Sequence, residues 1–214
     1  MTIGRIPGPL GDATGAQLVQ SHTALGAAPV QGPTKVVPKA VEARILFPPP
    51  RLCQLEIYKG TEGMFGCWAT VAEMIVRRRD PNARFVRPEF ESLLHDTTPE
   101  GRVRYMDFVE AQLARFGFVP VPGGMSFDWE ISTVASAVSL WGPLLCSGRF
   151  FDGSSSSLAL GGEMHCVAVF GGQDGIVYFR DPMDGVIKTM SIAEFNRKGR
   201  ADPFHARKNV HRLA

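Results

Sequence analysis

Cys67 is the residue whose setting points most directly to chemistry. It lies in the run Gly63-Met64-Phe65-Gly66-Cys67-Trp68-Ala69-Thr70. From there Trp68, Val71, Ala72 and Ile75 recur at helical spacing, so Cys67 opens a predicted helix that Asp80-Pro81 ends. The unpaired N–H groups and positive dipole at a helix start favour a thiolate, which makes such a cysteine nucleophilic near neutral pH. A base is offered by His165, within Gly161-Gly162-Glu163-Met164-His165-Cys166-Val167-Ala168-Val169-Phe170, a predicted strand. Sixteen residues later Asp181 ends the next predicted strand, ahead of Pro182. Antiparallel strands joined by a short loop bring their ends together, where a carboxylate can fix the tautomer and orientation of an imidazole. Singly, each residue has a plain reading: a buried thiol, a structural histidine, a turn. The three together describe a Cys-His-Asp nucleophilic site.

The remaining candidates read as structural. Alternation along the strand puts His165, Val167 and Val169 on one face and Cys166 and Ala168 on the other. Cys166 is therefore expected in the core, away from the site. Cys53 and Cys146 lack a flanking histidine or helix start and are expected to be core thiols. His205 and His211 fall in a basic tail from Arg197 to Arg212 and are expected to be solvated. No spacing of cysteine and histidine resembles a zinc site, and no metal or cofactor is expected. Arg77-Arg78-Arg79 suits the C-terminal end of the Cys67 helix. Ser154 to Ser157 reads as a loop before the His165 strand.

Positioning these groups requires a folded domain, and composition places it after about residue 44. The first fifty of the 214 residues hold eight of the sixteen prolines, six charged residues and one aromatic, Phe47. Such a segment buries too little apolar surface to offset its ordering entropy. Residues 1–44 are expected to be a flexible leader, with Ile45 to Pro50 docking as an extended arm on a domain spanning 45–214. Within the domain, helices are expected at Cys67 to Arg79, Pro88 to His95, Tyr105 to Phe116 and Phe127 to Leu140. Four strands follow, Leu144 to Phe150, Met164 to Phe170, Ile176 to Arg180 and Val186 to Met190, with Gly171 to Gly175 as a hairpin loop. Ser191 to Asn196 adds a helical turn. Helices first and antiparallel strands second indicate an α+β fold.

Gly66-Cys67-Trp68-Ala69, Gly142-Pro143-Leu144, His165-x-Val167-x-Val169 with Gly171, and Asp181-Pro182 occur in that order. The series resembles the papain-like cysteine protease superfamily over about residues 52–196. Within it, bacterial effector proteases and the peptidases that trim double-glycine leaders resemble it most. The resemblance implies a helical half led by the Cys67 helix, packed on an antiparallel sheet half. It also implies Cys67 as nucleophile, His165 as general base and acid, and Asp181 as the orienting carboxylate. In these families a glutamine about six residues before the cysteine donates a hydrogen bond to the oxyanion, but Thr61 stands there. Gln54, thirteen residues before Cys67, takes that role if Lys59 to Phe65 is an inserted loop; Thr61 is the rival.

The expected activity is cleavage of a peptide bond in a protein or peptide substrate through an acyl-enzyme. Alternatives are a deamidase or transglutaminase-like effector, a peptidoglycan amidase, or a silent papain-like binding module. A net charge of +2 gives no reason to expect nucleic acid as partner, and no run reaches the ~18 apolar residues of a membrane span. Pro7, Pro9, Gly11 and Asp12 interrupt the stretch where a signal peptide needs an unbroken apolar run. Delivery of a toxin or effector from the cytoplasm by a specialised secretion machine, with a cognate inhibitor or immunity partner, is the accompanying expectation.

Overall fold

The structure is a computed structural model that describes residues 48–59, 65–96, 98–122, 127–150, 165–200 and 210–214. Expectations for the leader, Ile45 to Phe47, Thr61, Ser154 to Ser157 and His205 lie outside the described residues. Pro49 is buried and Pro48 and Pro50 are half-buried, so this part of the arm docks on the domain.

After a short helix α1 (Gln54–Ile57), the helix predicted at Cys67 forms as α2 (Cys67–Arg79). Its apolar stripe buries Trp68, Val71 and Ile75 together with Met74. Burial of one side chain of this size contributes about 1.5–3 kcal/mol. Its basic last turn sits at the negative end of the helix dipole. There Arg77 pairs with Glu73 at 2.6 Å and Arg79 donates to the carbonyl of Ala214.

Two predicted helices are shorter than expected. Only α3 (Glu91–Leu94) forms in the segment from Pro88, and α5 (Ile131–Trp141) starts four residues after Phe127, which has a φ of +45°. Between them α4 (Pro99–Arg115) is longer than expected. Its start is set by Thr98, whose hydroxyl accepts from the Gly101 N–H at 3.0 Å, and by Pro99 at the first helical position.

One antiparallel sheet collects β1 (Phe118–Pro120), β2 (Leu144–Gly148), β3 (His165–Gln173), β4 (Ile176–Arg180), β5 (Ile187–Ser191) and β6 (Val210–Leu213). Their order is β1-β6-β2-β3-β4-β5. The β3–β4 hairpin closes through two residues rather than five. Asp174 and Gly175 both have positive φ, as a twist-matched two-residue turn requires, and β3 therefore runs on through Gln173. The segment from Ser191 lengthens into α6 (Ile192–Arg200).

The sequence reading of a solvated basic tail is corrected. Lys198 is buried on α6, and His211 is buried in β6 between β1 and β2. Val210 to Leu213 is an interior strand, and its apolar Val210 faces a core.

The sheet is covered on both faces. Leu145, Cys166 and Ala168 share a core with α2, Phe90 and Leu113. Leu144, Cys146, Val167, Val169 and Phe179 share the other with α5 and Phe195 of α6. This is an α+β architecture with the Cys67 helix laid across β2 and β3.

Candidate active site

Cys67 is the first residue of α2, and Gly66 is forced by packing. A β-carbon on Gly66 would stand 2.5 Å from the ring of Tyr58, so only glycine lets the chain turn into the helix there. The same turn is held from α4. The Tyr105 hydroxyl donates to the Phe65 carbonyl at 3.1 Å and accepts from the Trp68 indole N–H at 3.0 Å. Burial, reinforced by the negative charge on Cys67, keeps that phenol well above its usual pKa and neutral.

His165 opens β3 and is 3% exposed. Its Nε2 lies 2.7 Å from Oδ1 of Asp181, and its side chain also hydrogen-bonds Cys67. With Nε2 engaged by the carboxylate, Nδ1 is the nitrogen left for the thiol. Asp181 follows β4, where its backbone closes a turn: Gly185 N–H donates to its carbonyl and its own N–H to that of Val186. Its Oδ1 also accepts from the Met183 N–H at 2.9 Å, and its Oδ2 accepts from Lys188 Nζ at 2.7 Å. Burial works against the Asp181 carboxylate. The His165 hydrogen bond and charge, with Lys188, outweigh burial and hold the carboxyl well below its ordinary range.

Those partners define the charge state of the site. Burial disfavours an imidazolium, yet the bonds to Asp181 and Cys67 raise the His165 pKa to about 9. A hydrogen bond from Cys166 lowers the Cys67 pKa well below its ordinary value; burial opposes the shift and His165 reinforces it. Both directions favour a thiolate beside an imidazolium over a neutral pair.

Gln54 is fully buried, which removes the reading of an exposed polar residue. Its backbone N–H donates to the Pro182 carbonyl at 2.7 Å, so α1 is tied to the loop that follows Asp181. Cys53 donates its thiol to Met183 O at 3.1 Å in that loop, and Cys146 is buried on the opposite sheet face. Both are core thiols, as expected.

Cys166 is the correction. Alternation along β3 does put it on the face away from Val167 and Val169, but that is the face on which α2 lies. It is buried in the core as expected, yet next to Cys67 rather than away from the site. Lys188 and Tyr105 were not singled out from sequence. Asp184-Gly185 was the available signal for Lys188, because a turn there brings a residue soon after it back to Asp181. Among the described residues no cluster of three metal-binding side chains is found, and no helix is long and apolar enough to cross a membrane.

An α+β fold with a cysteine at a helix start, facing a strand histidine backed by a carboxylate, defines a papain-like cysteine peptidase. Residues 51–200 match the family described as papain-like cysteine protease AvrRpt2, and the chain belongs to that family. It is a hydrolase acting on protein, which answers the binding-module alternative. No curated protein gives a significant match.

Lys188 supplies a pH test of this arrangement. Lys188→Met removes a cation from beside the Asp181–His165 pair, so the imidazolium becomes easier to keep. The alkaline limb of kcat/KM, set by His165 near 9, is expected to move to higher pH, with roughly a tenfold fall in kcat as the carboxylate loses a fixed partner. A pH–rate profile identical to wild type would remove Lys188 from the site.

Proposed function

We propose that Cys67, His165 and Asp181 form the catalytic triad of a peptide-bond hydrolase working through an acyl-enzyme. The observation that carries this reading is the 2.7 Å contact of His165 Nε2 with Asp181, which leaves Nδ1 for Cys67 at the start of α2. The Cys67 thiolate attacks the scissile carbonyl, and the oxyanion forms against the Cys67 backbone N–H. His165 gives its proton to the departing amine, which leaves Cys67 acylated. The now neutral imidazole takes a proton from water, the hydroxide attacks the thioester, and the acid product departs. Gln54 supplies the second oxyanion donor in this proposal, supported by its full burial and its tie to the Pro182 loop.

The biological role proposed is that of a bacterial effector or toxin delivered into a target cell, with an inhibitor in the producing cell. Comparing new peptide termini after incubation of wild-type and Cys67→Ala protein with target-cell and bacterial lysates tests activity and role together. Termini made only by wild type, and confined to the target-cell proteome, are expected. The absence of new termini in both lysates would overturn the protease mechanism, and termini confined to the bacterial lysate would overturn the effector role. Gln54→Ala in the same assay is expected to cleave roughly 100-fold more slowly. A rate within threefold of wild type would remove Gln54 from the oxyanion site.

A further inference from the structure

The proposed mechanism gives one buried thiol beside Cys67 no covalent role, Cys166. It is the second residue of β3, and its side chain points to the face covered by α2. There it shares a core with Cys67 and Trp68, and its thiol and backbone N–H both hydrogen-bond Cys67. The two thiols are therefore hydrogen-bonded neighbours within one core, one at a helix start and one at a strand start. The other thiols are not rivals. The Cys53 thiol donates a hydrogen bond to the Met183 carbonyl, and Cys146 lies on the other face of the sheet.

We propose that Cys67 and Cys166 are a redox pair through which hydrogen peroxide reversibly switches the enzyme off. Cys67 sulfur attacks a peroxide oxygen, the O–O bond breaks, and Cys67 becomes a sulfenic acid with loss of hydroxide. The Cys166 sulfur then displaces that oxygen, forming the Cys67–Cys166 disulfide. The proton of Cys166 leaves with the displaced oxygen as one water. The His165 imidazolium proton meets the hydroxide to give the second. Two electrons pass from the thiols to the peroxide, and a dithiol reductant returns them. Cys166 thus acts as a resolving thiol that keeps Cys67 from oxidation to sulfinic and sulfonic acids, which dithiothreitol does not reverse. The loss of activity rests on Cys67 being the nucleophile. The cross-link does not.

Trypsin separates the four cysteines onto peptides 52–59, 60–77, 116–149 and 150–180, so the pairing can be read directly. The full chain is treated with hydrogen peroxide, blocked with N-ethylmaleimide, digested and analysed by mass spectrometry, with turnover measured before and after dithiothreitol. Wild type is expected to yield peptides 60–77 and 150–180 joined by a disulfide, and to regain more than roughly half its initial rate on reduction. Cys166→Ala, and Cys166→Ser should the alanine variant fold poorly, are each compared with their own untreated rate. They are expected to carry sulfinic or sulfonic acid on Cys67 and to regain less than roughly a tenth. Separate 60–77 and 150–180 peptides with over-oxidised Cys67 in wild type would overturn the pair. Equal recovery in the Cys166 variants would overturn the resolving role. A cross-link that leaves turnover unchanged would instead overturn Cys67 as nucleophile, with the pairing standing.

Discussion

Folded Cys67→Ala and His165→Ala proteins are each expected to lose at least roughly 1,000-fold in kcat/KM. The two losses have one origin. Cys67 and His165 hydrogen-bond each other, and each shifts the other's pKa toward the ion pair, so in the proposed mechanism removing either partner removes that pair as well as a chemical role. The double variant is therefore expected to be no slower than the worse single one, because residues that act as a unit are not additive. Alkylation gives a reading independent of substrate. Iodoacetamide at neutral pH should modify Cys67 first in wild type. It should do so far more slowly in His165→Ala, where the thiolate loses its cation. Burial pushes the Cys146 thiol well up, so that residue should stay unmodified in the folded protein. Circular dichroism separates loss of chemistry from loss of fold. Turnover in folded Cys67→Ala protein would sink the mechanism.

What the sequence made legible follows the range of the forces involved. The start and stop of α2 were readable because its apolar stripe, Gly66 and Asp80-Pro81 all act within a few residues. The hairpin strands β3 and β4 were readable for the same reason, since Asp174-Gly175 joins them directly. Strands β1 and β6 were not. Phe118 pairs with Leu213 and Pro120 with His211, and neither three- nor four-residue segment carries a pattern of its own. Val210-His211-Arg212-Leu213 reads as polar, and only its place between β1 and β2 buries the histidine. The start of α4 was missed because Pro99-Glu100-Gly101-Arg102 shows no apolar period, while the Thr98 cap and Pro99 fix the first turn.

The site divides in the same way. Cys67, His165 and Asp181 were readable as residue types in order, and the structure brings them together. Cys166 lies in the core on the strand face that alternation predicts, but the sequence does not show that α2 covers that face. A strand buried on both sides shows apolar residues at every position and says nothing of which face the helix covers. His165 and Cys166 both reach Cys67 because they are the first two residues of β3, the strand end against which α2 begins.

Asp181→Asn is expected to cut kcat by roughly 100-fold or more, short of the loss in Cys67→Ala. The carboxylate does three things here, and the amide keeps one of them. Its Oδ1 meets His165 Nε2 at 2.7 Å and the Met183 N–H at 2.9 Å, and its Oδ2 takes Lys188 at 2.7 Å. An asparagine fills the same space but has no charge to raise the His165 pKa. With burial unopposed from that side, the imidazole becomes harder to protonate and returns its proton to Cys67. An amide N–H facing Nε2 also makes that nitrogen an acceptor, which moves the neutral ring's proton to Nδ1 and points it at the sulfur. The alkaline limb of kcat/KM should then fall below 9, the opposite direction from Lys188→Met, and alkylation of Cys67 at neutral pH should slow. The opposed shifts distinguish a carboxylate that tunes His165 from one that merely supports the turn at Gly185, since a packing defect would lower kcat in both variants without moving either limb. Wild-type turnover and an unmoved limb in Asp181→Asn would place the third member of the triad elsewhere.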